Sequence, residues 1–115
     1  MFLFALYKNF FDMYKEYADK VSDMVAKELE ISKEDILSKS RSIEILDARN
    51  MVVRLLWLMH VYPKKIADLT HLSTRNIHYI ITTFDDRVKG NRFLRQRYAK
   101  IAKELCRMFE ISDGD

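Results

Sequence analysis

Apolar side chains recur along the first segment at alternating steps of four and three: Leu3, Tyr7, Phe10, Tyr14, Tyr17, Val21 and Met24. A second row, Phe4, Phe11, Ala18 and Val25, runs beside it at steps of seven and widens the stripe. This spacing puts one apolar face on a helix and predicts a single long helix over residues 2–29. Ser32 followed three residues later by Asp35 has the form of a capping box, opening a short helix that turns Ile36 and Leu37 inward. Residues 38–46 show no helical period and read as an ordered loop. Asp47 is positioned to cap a helix over about 48–60, whose apolar run from Met51 to Met59 is interrupted only by Arg54. That helix reads as the buried hub. Tyr62-Pro63 marks its end, because the residue before a proline avoids the helical basin. Two short helices follow over about 64–70 and 74–86, and a last one runs from an Asn91 cap to about Ile111 with the seam Leu94, Tyr98, Ile101, Leu105, Met108. No segment alternates with period two. The expectation is an all-α small helical bundle, with residues 1–31 as an amphipathic aromatic-rich helix and residues 32–115 as the main domain.

Within that bundle, residues 66–81 carry the spacing of a helix-turn-helix. Ile66 and Leu69 hold the first helix on the core, and Ala67 is small where two helices cross closely. His71 falls where the turn requires a left-handed backbone, which His visits more readily than most residues. Leu72 plugs the turn, and Ser73 or Thr74 caps the second helix. Ile77, Ile80, Ile81 and Phe84 bury its inner face. The outer surface is then Ser73, Thr74, Arg75, Asn76, His78 and Tyr79, with Thr82 beyond. Arg forks onto guanine and Asn onto adenine in the major groove, so these six are the candidate base-contacting residues.

Charge sharpens this picture only when it is divided. The chain has 20 basic and 17 acidic side chains, a net of +3. Residues 1–37 hold five basic and eight acidic side chains, whereas residues 38–107 hold fifteen basic and six acidic, and Glu110, Asp113 and Asp115 make the tail acidic. Lys64 and Lys65, at the start of the first helix of the motif, and Arg49 are candidate contacts to the DNA backbone. Arg95, Arg97, Lys100, Lys103 and Arg107, on the last helix, read as solvated surface. The aromatic first helix is acidic overall, which disfavours nucleic acid. It reads as core, or as the element through which a homodimer or a protein partner is held.

Other chemistries find no support. Two glycines leave no Gly-rich loop for a nucleotide phosphate, and His60, His71, His78 and Cys106 have no metal-ligand spacing. No nucleophile has a base and an orienting group beside it, so no catalytic residue, cofactor or metal is expected. The lone Cys106 fits a reducing, cytoplasmic setting. The apolar opening is broken by Lys8 and Asn9, so neither a signal peptide nor a membrane span is expected.

Residues 32–85 resemble the C-terminal DNA-binding domain of the bacterial chromosomal replication initiator DnaA. The likeness is clearest over residues 35–56, Asp-Ile-Leu-Ser-Lys-Ser-Arg-Ser-Ile-Glu-Ile-Leu-Asp-Ala-Arg-Asn-Met-Val-Val-Arg-Leu-Leu. That family has a similar short helix, a Ser-Lys basic loop, and a helix leading into its helix-turn-helix. The resemblance implies a Trp repressor-like bundle, double-stranded DNA as partner, and a basic loop, here Lys39 and Arg41, on the backbone and minor groove. Ile43 stands where the family tends to have an arginine. The family's Arg-Asp-His-Thr-Thr signature is replaced by Ser73, Thr74, Arg75 and Asn76, which implies a different target sequence. The implied setting is replication initiation or its regulation. Transcriptional regulation, or a protein-interaction adaptor that keeps the helix-turn-helix as scaffold, is the alternative.

Overall fold

The computed structural model describes the backbone of residues 2–109 and the side chains of residues 13–109. Six helices follow in order: α1 Phe2–Leu29, α2 Lys33–Ile36, α3 Ile43–Leu58, α4 Pro63–Thr70, α5 Thr74–Lys89 and α6 Arg92–Phe109. The all-α architecture is as the periodicity predicts, and no strand occurs among the described residues.

α3 is the hub. Ala48, Met51, Val52, Val53, Leu55 and Leu56 are fully buried, and α1, α4, α5 and α6 all pack against it. α1 contributes Val21 and Val25, both fully buried, to the same core. Tyr17 of α1 meets Phe109 of α6 edge to face at 5.0 Å, and Tyr14 meets Tyr62 at 6.1 Å. Polar staples reinforce the packing. Glu28 of α1 accepts from Arg97 and Lys100 of α6, each at 3.1 Å, and the Lys100 hydrogen bond, aided by Arg97, holds its carboxyl below the ordinary glutamate range. Lys33 of α2 pairs with Asp23 and Asp19 of α1; burial opposes its charge, but the two carboxylates outweigh burial and raise its pKa.

α3 begins five residues earlier than the sequence pattern indicates. Ser42 is its cap, its Oγ accepting from the Ile45 N–H at 3.4 Å, so residues 43–46 are helix and the loop shrinks to residues 38–42. Two inversions hide the helical period there. Ile43, apolar, is 72% exposed, while Arg49, charged, is only 8% exposed. Asp47 is accordingly inside the helix and not its cap; its carboxylate accepts from Arg87 Nε at 2.7 Å. Pro63 opens α4 at its first position, where no backbone N–H is needed, while α3 has already ended at Leu58. α5 runs to Lys89, three residues past its expected end. Asn91 does cap α6, its Oδ1 accepting from the Leu94 N–H at 3.1 Å.

With glycines this scarce, three helices end on other residues in the left-handed region. Glu30, His60 and His71 have φ of 56°, 66° and 61°. After each, the next N–H reaches back to a helix carbonyl: Ile31 to Ala26, Val61 to Leu56 and Leu72 to Ala67. These bonds satisfy carbonyls that a helix end would otherwise leave open.

Candidate nucleic-acid interface

The corner between α4 and α5 forms as the spacing predicts. His71 takes the left-handed turn, Ala67 is 7% exposed at the crossing, and Leu72 packs half-buried over the core. Ser73 adopts extended backbone and its Oγ accepts from the Asn76 N–H at 3.1 Å, which fixes the start of α5. Ile77, Ile80 and Phe84 point into the core, and Ile81 is half-buried beside them.

The opposite face of α5 is solvent. Ser73, Thr74, Arg75, Asn76, His78 and Tyr79 are all exposed, Tyr79 by 66%. Among the described residues, Arg75 makes no ion pair, and the Asn76 side chain makes no hydrogen bond. Thr82 and Thr83 are different: their hydroxyls bond back to the His78 and Tyr79 carbonyls of the same helix. Arg75, Tyr79, Thr82, Asp86 and Lys89 lie on one line along α5, so a cation stands at each end of the exposed face with one carboxylate between. The helix dipole makes the first turn of α5, where Arg75 stands, the end of this face at which negative charge is favoured.

Two ion pairs set the direction of α5 on α3. Arg54 Nη2 reaches Asp85 at 3.2 Å while its Nη1 donates to the Ile81 carbonyl at 3.1 Å. Arg87 reaches Asp47 at 2.7 Å. α5 is thereby antiparallel to α3, and the loop at residues 38–42, just before α3, stands toward the C-terminal end of α5. Arg75 and Arg87 are about 18 Å apart along the helix axis, from a rise of ~1.5 Å per residue.

That loop is built by alternation. Ser38, Ser40 and Ser42 hold one another: the Ser40 N–H donates to Ser38 Oγ at 3.2 Å and the Ser42 N–H to Ser40 Oγ at 3.3 Å. Lys39 and Arg41, between them, are exposed.

The five expected backbone cations do not share one environment. Lys39, Arg41 and Lys64 are exposed. Lys65 is only 7% exposed, on the covered side of α4. Arg49 is turned inward: its Nε donates to the Ile36 carbonyl at 2.9 Å and its Nη2 to the carbonyls of Ser38 and Ser40. Burial lowers its pKa, yet a guanidinium stays protonated, so it acts as a buried clamp holding the loop to α3. Its assignment to the DNA backbone is corrected on that ground. Arg54 is the functional neighbour that charge counting passes over, since it orients α5 from behind. It also lies over the Trp57 and Phe84 rings at 5.0 and 5.5 Å.

No group of three or more His, Cys, Asp or Glu side chains among the described residues could hold a metal ion. His60 and His71 serve as helix-end backbone positions, and His78 is on the exposed face of α5. No described helix is long and apolar enough to cross a membrane. Compared with known proteins, the chain matches no family model, no curated protein and no solved structure.

Proposed function

We propose that this chain is a double-stranded DNA-binding module that reads sequence with the N-terminal turns of α5. The observation carrying the reading is the α4–His71–α5 corner, which presents Arg75, Asn76, His78 and Tyr79 on a rigid helix whose inner face is core. In this reading Arg75 and Asn76 address base edges in the major groove, with Ser73, Thr74, His78 and Tyr79 around them. Lys64 approaches the phosphates flanking the groove, and Lys39 and Arg41 a more distant stretch of backbone. The DnaA-like order of elements over residues 32–85 supports the same reading, with a role in replication initiation or its regulation, or in transcriptional control.

The test is a fluorescence-anisotropy titration of a short mixed-sequence duplex across a salt series. Binding that weakens with a log–log slope of about −0.9 per phosphate contact is the expected result. Lys64→Ala shallows that slope by about one unit and weakens all sequences alike. Salt-independent binding, or none at low salt, sinks the proposal.

A further inference from the structure

On the side of the bundle where α1 ends and α3 and α6 begin lies an open groove of about 560 Å³. Leu29, Ile31 and Leu94 line it, and two large apolar side chains flank it from separate helices. Ile43 is 72% exposed and Phe93 is 53% exposed. Three carboxylates, Glu30, Glu44 and Asp47, share the lining with them, and no lysine or arginine does. Asp47 is already paired with Arg87. Glu30 and Glu44 have no ion-pair partner among the described residues, and Glu30 is held at the lip by its left-handed backbone. Arg97 lies over the Phe93 ring at 4.7 Å and Arg87 neutralises Asp47, so the open negative charge beside the apolar walls is that of Glu30 and Glu44.

We infer that the groove docks a short basic segment of a protein partner, with one or two aliphatic or aromatic side chains seated between Ile43 and Phe93 and Lys or Arg on the Glu30 and Glu44 carboxylates. The apolar walls supply the desolvated centre and the carboxylates the charged rim, which is the division of labour in peptide interfaces. The same carboxylates disfavour a phosphate backbone, so this groove is chemically distinct from the α5 face.

The probe is a phage-displayed library of random peptides selected on the immobilised full chain, followed by anisotropy with the fluorescein-labelled peptide that dominates the selection. Enriched sequences are expected to combine Lys or Arg with Leu, Ile, Phe or Trp. The double variant Ile43→Ser, Phe93→Ser should weaken the labelled peptide about tenfold or more, and Glu44→Lys at least threefold by charge reversal. Circular dichroism melts verify that these surface variants stay folded, and Glu44→Lys leaves the apolar walls intact should the double variant melt early. The inference is overturned if no peptide or only neutral or acidic peptides are enriched. Unchanged affinity in the variants overturns it too. So does a chain that sediments as a dimer and becomes monomeric in the double variant, which would assign the groove to a second copy. Duplex titrations run beside these are independent: loss of the DNA reading leaves the peptide result standing, and the reverse holds.

Discussion

Arg49 and Arg75 carry the same guanidinium and have opposite fates, because three carbonyls at residues 36, 38 and 40 turn one inward while nothing claims the other. Sequence supplies the charge at both positions and not its direction, so Arg49 reads as a DNA contact until its partners are seen. Replacing Arg49 by Met should cost about 3 kcal/mol in urea denaturation, since hydrogen bonds from a charged donor are lost and buried carbonyls go unmet. Duplex affinity per folded molecule should fall only by what the Lys39 and Arg41 contacts of the unclamped loop supply, alike for all sequences. Base preference should be unchanged, which separates this residue from Arg75. His71 is the reverse case, legible beforehand because the turn's backbone demand can be read from spacing alone. At φ 61° a β-branched side chain clashes, so His71→Val should lower stability by about 1–2 kcal/mol. His71→Gly should raise it or leave it unchanged. A loss on His71→Gly would mean that the imidazole itself holds the corner.

Caps and periodic faces made most elements readable, and the misses lie at element ends: α3 starts earlier than the pattern indicates, α5 runs on to Lys89, and Leu37, expected inward, is 41% exposed. Ser73 and Asn91 do as capping chemistry dictates, and Ile77, Ile80 and Phe84 bury as their spacing requires. The start of α3 was hidden because its first turns break the apolar code at Ile43 and Arg49, an exposed aliphatic and a buried cation. Both departures now have a reason: Arg49 ties down the serine loop, and Ile43 flanks the acidic groove. The two Arg–Asp pairs that fix α5 on α3 join residues 31 and 40 positions apart, and no local pattern could pair them. For the element that presents the candidate interface, Ser73→Ala should cost about 1 kcal/mol by removing the acceptor for the Asn76 N–H. The guanine preference assigned to Arg75 should survive in the folded fraction, because Arg75 remains on the same helix.

Across the molecule, charge is partitioned and not merely balanced: α5 begins basic, the groove beside α1 is acidic, and Glu28 is consumed in holding α6. The Glu28 carboxyl is held below its ordinary value of 4.5 by Lys100 and Arg97, so it stabilises the fold above that value and the contribution fades as pH falls through its lowered one. Urea midpoints at neutral pH and at about pH 3 should therefore differ more for the native chain than for Glu28→Gln. α1 shares the core through Val21 and Val25, so removing residues 1–30 should abolish the cooperative unfolding transition seen by circular dichroism. Among the described residues, the start of α5 is an exposed surface whose cation makes no ion pair and whose amide makes no side-chain hydrogen bond. Selection of binding sites from a pool of random duplexes at low salt, carried out in parallel with the native chain and Arg75→Ala, addresses that surface. The native chain should enrich a defined sequence, and Arg75→Ala should lose the preference at one or two guanine positions, with a cost of about 1–3 kcal/mol. Enrichment of no duplex by the native chain, or an identical preference from both proteins, would contradict the assignment of α5 as the reader.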